Sequence, residues 1–434
     1  MEKVAILGAG ESGTGAALLA KSKGFQVFLS DRGTIAPAYK QTLTTNGIVF
    51  EEGKHTKEDI LDAQLVIKSP GIPDTVPLLQ EIYGKEIPVI SEIEFAARYT
   101  DAKIIAITGT NGKTTTSLLT YHLLKENGVN VGLAGNIGDS FAKSVLEKAY
   151  DWYVLEVSSF QLDNIQDFKP HIGLILNITP DHLDRYQNDM MLYAASKYGM
   201  TRNMGTEDTF IYNENDALTL SLLKKNPLTT TSLSFATKDY DGEALYIDEE
   251  VYTELPLRGP HNGMNMSAAI RAVLTTGEVS VVQVKEALRS FKNTEHRLEE
   301  VGKKSKVLFI NDSKATNVEA SLYALQSFQQ PIIWIAGGVD KGNDYGQMEE
   351  TVKQHVKAII CLGKENEKIK NAFQSIIPDI SETEDIRIAV QLAIEKAGGQ
   401  EVVVLLSPAC ASFDLFRNYE DRGQQFKEAV QAIL

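Results

Sequence analysis

The chain has 434 residues, 43% of them apolar and 23% charged, the balance of an ordinary globular protein with room for two or three cored domains. Asp and Glu number 58 against 43 Lys and Arg, a formal net charge of -15 that leaves no basic field to hold a nucleic-acid backbone or an anionic membrane. Collagen-like, disulfide-scaffold and wholly disordered chains are excluded, and an anionic ligand has to be met by local donors and metal ions. Cys361 and Cys410 are too few for a disulfide framework and lack metal-ligand spacing, so they are expected to pack as small apolar residues in a reducing compartment. Neither the start, Met1 to Leu7, nor any later segment has the apolar length of a signal peptide or a membrane span, and the expected location is cytoplasmic.

From Val4 onward, short apolar runs bounded by Gly, Asp or Ser alternate with longer segments of helical period, without a fixed repeat. This is the pattern of parallel sheets covered by helices. The first block places strands at Val4–Leu7, Gln26–Leu29, Leu65–Lys68 and Val89–Ile90. Its first turn, Gly8-Ala9-Gly10-Glu11-Ser12-Gly13, with Asp31 closing the second strand, matches the dinucleotide fingerprint: glycines admit a diphosphate to a helix start and the acid meets a ribose. Alone it suggests a nicotinamide enzyme. A second phosphate loop downstream, which hydride transfer does not need, favours some other nucleotide-linked ligand, and a tight turn without ligand stays open.

The second block places strands at Lys103–Thr108, Trp152–Val157, Ile172–Asn177 and Thr209–Tyr212, and a helix over Thr114–Asn127. Between strand and helix lies Gly109-Thr110-Asn111-Gly112-Lys113-Thr114-Thr115, whose glycines let N–H groups converge on phosphate oxygens while Lys113 neutralises charge and Thr114 offers magnesium a hydroxyl. Only two residues separate the glycines, a departure from G-x-x-x-x-G-K-[ST]; the expectation is an ATP site. Glu156 ends one strand and Asp181-His182-Leu183-Asp184 follows another. In an open α/β sheet such ends face the ligand, so Thr114, Glu156 and His182 are expected to point toward phosphates and magnesium. Singly, Glu156 is as good a helix cap, His182 a structural histidine, Lys197 a solvated lysine, and Asn262 and Asn265 helix caps.

The third block places strands at Val307–Asn311, Ile332–Ala336, Ala358–Leu362 and Val402–Leu406, after a charged stretch, Leu298–Lys306, read as the connection on which a domain would close. Asn311-Asp312-Ser313-Lys314-Ala315-Thr316-Asn317 follows a strand and carries an acid and a lysine, more than an Asx turn requires. The simplest account is an α/β chain of three consecutive domains, over residues 1–93, 94–297 and 298–434: Rossmann-like, P-loop ATPase-like and Rossmann-like.

These segments, with Glu156-Val157-Ser158-Ser159-Phe160-Gln161, His261-Asn262-Gly263-Met264-Asn265, His296-Arg297 and Ser407-Pro408-Ala409-Cys410-Ala411-Ser412, follow the order found in the Mur ligases of peptidoglycan synthesis, which the whole chain resembles. Asn311–Asn317 and the run from Ser407 through Arg422-Gly423 resemble the branch that adds D-glutamate. The resemblance implies an ATP-dependent amide ligase acting on UDP-N-acetylmuramoyl-L-alanine through an acyl phosphate, with two magnesium ions, as a cytoplasmic monomer. The alternatives are a ligase for another amino acid, one adding glutamate to folate, and, outside the family, a nucleotide-sensing binding module.

Carried over by motif, Ser12, Asp31, Arg32 and Gly71 hold the uridine nucleotide, with Asn136 near the sugar and diphosphate. Gly109, Thr110, Asn111, Gly112, Lys113, Thr114 and Thr115, with Asn262, Asn265, Arg297 and Asp312, bind ATP. Thr114 and Glu156 serve one magnesium, His182 and Lys197 a second, the lysine as its carbamate. Lys113, His182, Lys197 and Lys314 are the catalytic set, and Lys314, Thr316, Lys341, Ser412, Phe413 and Tyr419 meet D-glutamate. Two departures stand out: Tyr419 occupies a position where phenylalanine is expected, and the Gly8–Ser12 loop is more polar than in the best-known members.

Overall fold

A computed structural model describes residues 2–292, 295–340 and 342–434; Lys341, expected on the amino-acid side, lies outside the described residues. Strands β1 (Lys3–Leu7), β2 (Gln26–Asp31), β3 (Val49–Glu52), β4 (Leu65–Lys68) and β5 (Val89–Ser91) form a parallel sheet in the order β3-β2-β1-β4-β5. A second parallel sheet, ordered β11-β10-β9-β6-β8-β7, contains β6 (Lys103–Thr108), β7 (Val131–Gly135), β8 (Trp152–Glu156), β9 (Ile172–Ile175), β10 (Thr209–Asn213) and β11 (Thr231–Phe235). A small hairpin follows, β12 (Leu245–Ile247) with β13 (Glu250–Tyr252). The third sheet, ordered β14-β15-β19-β16-β17-β18, is built from β14 (Glu299–Lys304), β15 (Val307–Asn311), β16 (Ile332–Ala336), β17 (Val356–Leu362), β18 (Ile380–Thr383) and β19 (Val402–Leu406).

Apart from β5, which lies at a sheet edge, the expected apolar strands lie inside their sheets: Ile104–Thr108, Trp152–Glu156 and Val402–Leu406 are buried throughout. The expected strands over Trp152–Val157 and Ile172–Asn177 end earlier, at Glu156 and Ile175, which leaves Val157, Leu176 and Asn177 in the loops that follow. One reading is corrected. The stretch Leu298–Lys306 is not a connection: Glu299–Lys304 pairs antiparallel with β15 as an edge strand. An edge strand needs a neighbour on one side only, so its charged residues leave no apolar signal.

The chain divides into two compact units, one of Met1–Asp239, Ala244–Glu254 and Met264–Phe291, the other of Tyr240–Glu243, Leu255–Gly263 and Lys292–Leu434. The first unit carries the first two sheets, and the physical reason is local. Helix Glu11–Ser22 packs on helix Phe141–Glu147 where Gly15 admits Ser140, whose Oγ would stand 1.9 Å from a Cβ there. Buried Glu92 accepts from the Ala142 N–H at 2.5 Å, and one oxygen of buried Glu94 accepts from the N–H groups of Gln166, Asp167 and Phe168. A single apolar core runs from Val4 and Leu29 to Ala106 and Leu155. In the second unit, Trp334 and Phe373 pack one face of the third sheet, Phe309 and Phe426 the other. Cys361 and Cys410 are buried and free, and among the described residues no helix is long and apolar enough to cross a membrane.

Candidate active site

The turn after β6 is braced from the end of β9. Thr110 N–H donates to the Asn177 carbonyl and Asn111 N–H to Asn177 Oδ1, at 2.9 and 2.8 Å, while Asn177 Nδ2 returns a bond to the Asn111 carbonyl at 3.1 Å. Thr179 N–H donates to Thr110 Oγ1 at 3.0 Å, and the Tyr193 hydroxyl lies 3.2 Å from the same oxygen. Gly112 turns the chain into helix Lys113–Glu126 at φ +84°, and a Cβ there would stand 2.2 Å from Asn265 Oδ1. Thr114 and Thr115 are buried at that helix start, and Lys113 Nζ donates to the Gly109 and Thr110 carbonyls at 2.9 and 2.8 Å. The turn thus ends at a helix N-terminus with buried threonines and an ammonium beside it, features that suit a phosphate. Asn177, Thr179 and Tyr193 were missed from sequence; polar residues just past a strand's carboxyl end, as in Asn177-Ile178-Thr179, were the available signal.

Three further groups belong to the same unit. Glu156 is buried; Oε1 accepts from Asn136 Nδ2 at 2.8 Å, and Oε2 is buried without a hydrogen bond among the described residues. Lys197, on helix Met190–Tyr198, is 2% exposed, donates to the Gly109 carbonyl at 2.9 Å and lies 4.7 Å from the Tyr193 ring centre. Burial, and then the Lys113 charge, hold its amine well below the usual lysine range, which sets aside the solvated-lysine alternative. His182 is exposed, left-handed at φ 51°, with its ring edge-on to Phe160 at 5.1 Å and Nε2 3.5 Å from Asp181 Oδ2.

At the first crevice, Gly8 and Gly13 permit contacts that a side chain would block: a Cβ would lie 2.4 Å from Ser69 Oγ at the former and 1.9 Å from the Gly8 carbonyl oxygen at the latter. Asp31 steadies the turn, accepting from the N–H groups of Ala9 and Gly33 at 2.7 Å each. Ser12 sits at the helix start, Arg32 and Gly71 are exposed next to Asp31 and the Ser69 segment in sequence, and Asn136 is exposed against Glu156.

The second unit gathers its residues past the carboxyl ends of β15, β16 and β19. Asp312, expected to line the ATP site, accepts from Ser407 Oγ at 2.8 Å and the Leu298 N–H at 3.2 Å, and burial pushes its carboxyl up to about 7. Lys314 Nζ lies 5.4 Å from the Tyr419 ring centre, Thr316 is half-buried in the same segment, Ser412 is buried, and Phe413 is 71% exposed. Arg422, which sequence reading quoted without a role, organises these loops from within a helix: Nε donates to Ser313 Oγ at 2.9 Å, Nη2 to the Ser313 carbonyl at 2.8 Å, and Nη1 to the Cys410 carbonyl at 3.2 Å. Asn262 Nδ2 donates to the Arg258 carbonyl at 2.9 Å. Its neighbour His261 stacks on Tyr323, and burial, followed by the Arg297 charge, brings the imidazole down to about 3, so it is neutral.

Residues 3–76 match the family described as MurD N-terminal domain, 107–273 the Mur ligase middle domain and 296–410 the Mur ligase glutamate ligase domain. The UDP-N-acetylmuramoylalanine--D-glutamate ligase of Christiangramia forsetii is 49% identical over 445 residues, covering all of both chains. The chain belongs to the Mur ligase family. The ligase of the same name from Cytophaga hutchinsonii is 46% identical across 99% of this chain and 98% of its own. The UDP-N-acetylmuramate-alanine ligase MurC of Thermotoga maritima, 19% identical, shares the fold over the full length of both chains with a TM-score of 0.63. As a Mur ligase this chain is an enzyme that forms a peptide bond, and Mur ligases use ATP and magnesium.

The donors present fit magnesium. Among the described residues no group of three His, Cys, Asp or Glu is poised to hold a metal on its own. Magnesium does not ask for one, since it keeps waters and takes one or two carboxylates beside substrate phosphates. The Glu156 oxygen that has no hydrogen bond among the described residues, buried in the same unit as the Gly109–Thr115 turn, is a carboxylate of that kind.

Proposed function

We propose that this Mur ligase joins D-glutamate to UDP-N-acetylmuramoyl-L-alanine with hydrolysis of ATP to ADP and phosphate, in the cytoplasm. The observation that carries the choice of amino acid is full-length identity of 49% to a D-glutamate ligase, together with the match of residues 3–76 to the N-terminal domain of that branch. The proposed domains are 1–93 for the UDP substrate, 94–297 for ATP and 298–434 for the amino acid. The proposed oligomeric state is a monomer.

The substrate's terminal carboxylate attacks the γ-phosphorus of ATP and ADP departs, leaving an acyl phosphate. The amine of D-glutamate attacks that carbonyl carbon, gives up a proton, and inorganic phosphate leaves. Phosphoryl transfer gains mainly from positioning and charge stabilisation. Lys113 serves this from the phosphate loop and Lys314 from the third domain, while Gly109 to Thr115, Asn262, Asn265, Arg297 and Asp312 hold ATP. Two magnesium ions, when bound, add Lewis-acid charge at the phosphates. Thr114 and Glu156 would hold one, and His182 and Lys197 the other. Lys197 is proposed as its carbamate, because the buried amine is held toward the neutral form that adds CO2, releasing a proton and gaining hard oxygen donors. Ser12, Asp31, Arg32, Gly71 and Asn136 take the UDP substrate, and Thr316, Lys341, Ser412, Phe413 and Tyr419 join Lys314 around D-glutamate, whose two carboxylates need donors from separate loops.

The test is phosphate release and product mass with UDP-N-acetylmuramoyl-L-alanine and a panel of D-glutamate, L-glutamate, L-alanine and a diamino acid. Turnover with D-glutamate alone is expected; preferential use of another amino acid overturns the choice of substrate and leaves the family intact.

A further inference from the structure

The loop that carries His182 is held in an unfavourable shape. His182, Gln187 and Asn188 all have left-handed backbones, at φ 51°, 56° and 58°. Such conformations cost free energy and persist where the surroundings over-determine them. Two neighbouring side chains do so here. The Tyr186 hydroxyl donates to Asp163 Oδ2 at 3.0 Å, and the other oxygen of that carboxylate lies 2.5 Å from Ser196 Oγ, next to Lys197 in sequence. Arg185 reaches the opposite way, into the first domain: Nη2 donates to the carbonyls of Pro70 and Ile72 at 3.0 and 2.9 Å, and Nη1 to that of Gly71 at 3.2 Å.

The segment that Arg185 grips follows β4 and borders the first crevice, since the preceding Ser69 is the residue that Gly8 must admit. Buried Lys68 donates to the same Ile72 carbonyl at 3.1 Å, so the segment is fixed from both sides. The Arg185 guanidinium also lies 4.7 Å from the Phe160 ring centre, and that ring carries His182 against it at 5.1 Å. A single side chain therefore joins the segment containing Gly71 to the loop containing His182. Three carbonyls turned toward one point suit a planar guanidinium fork, which an ammonium cannot reproduce.

We infer that Arg185 is a positioning residue that couples the UDP-substrate crevice to the phosphate-transfer side of the same unit; the inference rests on the reading of Gly71 and the first crevice as the uridine diphosphate site. Binding at the crevice settles Pro70–Ile72, and through Arg185 that settles the His182 loop.

The experiment compares wild type, Arg185→Ala and Arg185→Lys as full-length chains. It measures UDP binding and binding of a non-hydrolysable ATP analogue with magnesium by calorimetry, then kcat and KM for each substrate. For Arg185→Ala we expect UDP affinity to fall about tenfold or more, KM for the UDP substrate to rise in parallel and kcat to fall about tenfold, the scale of losing charge-assisted bonds. The ATP analogue should bind within about twofold of wild type, and Arg185→Lys should recover part of the UDP affinity and less of kcat. Unchanged UDP affinity and kcat in Arg185→Ala would overturn the inference, as would equal losses for both nucleotides with a lower melting temperature, the mark of a general structural role. Failure of the wild type to bind UDP at all would overturn the reading of the crevice and the inference with it.

Discussion

Replacing Glu156 by glutamine removes a charge and almost no volume. The carboxylate is 2% exposed, with one oxygen held by Asn136 and the other without a partner among the described residues. Glutamine can keep its carbonyl toward Asn136 Nδ2, which turns an NH2 donor to the side where a cation would sit. Leaving a buried acceptor unmet costs about 1–3 kcal/mol, and more when it is charged. Without metal, Glu156→Gln should therefore melt no lower than wild type, and a few degrees higher at about 2 °C per kcal/mol for a body of this size. Activity should move the other way. The magnesium needed for half-maximal rate should rise about tenfold or more, and kcat at saturating magnesium should fall about a hundredfold, the usual scale for removing one group that meets charge in the transition state. Calorimetric scans with and without magnesium and ATP analogue, and magnesium titrations of phosphate release, check both halves. If the variant melts several degrees lower without metal, the carboxylate serves the fold through Asn136, and the metal assignment falls; wild-type magnesium dependence would be equally damaging.

Lys197→Ala should be nearly inactive and partly rescued by short carboxylates that supply the missing oxygens; activity without rescue, or a free ammonium at this position in a metal-loaded crystal, would count against carbamylation. Gly112→Ala combines a φ of +84° with a Cβ 2.2 Å from Asn265 Oδ1, so it should lose most binding of the ATP analogue, read by calorimetry, while UDP binding persists. Asp312 titrates at about 7 when folded, above the ordinary carboxylate range. Between the two values the folded chain holds a proton that the unfolded chain has lost, so stability should fall as pH rises through that window, by at most about 1.4 kcal/mol per pH unit. Asp312→Asn should flatten that slope in urea titrations from pH 4 to 8, and identical slopes in the two proteins would refute the assignment.

How far the fold was legible followed burial. Runs such as Ile104–Ile107, Ile332–Ala336 and Val402–Leu406 announce themselves because a strand inside a helix-covered parallel sheet must be apolar on both faces. Strands β3 (Val-Phe-Glu-Glu), β18 (Ile-Ser-Glu-Thr) and β14 (Glu-Glu-Val-Gly-Lys-Lys) lie at sheet edges, where one face or one side meets solvent and the apolar constraint lapses. For that reason Leu298–Lys306 read as a connection. The glycine turn after β6 and the acid ending β8 were legible as positions in the fold, since a strand-to-helix turn through glycine and the end of a buried strand are marked by local residue type.

The sequence by itself determined the local grammar: which runs become interior strands, where the backbone must turn through glycine, and which loops can receive a phosphate. It did not reveal that Asn177 and Thr179 brace the loop around Thr110, that Arg422 ties Ser313 to Cys410, or that Arg185 grips Pro70–Ile72. Those bonds join residues 66 to 115 positions apart, apart from Arg422 and Cys410, which a turn separates by 12. Local propensity carries no term for such pairs. Their geometry exists only once distant loops are packed together and polar groups that secondary structure has left unbonded find each other, which is a property of the packed chain.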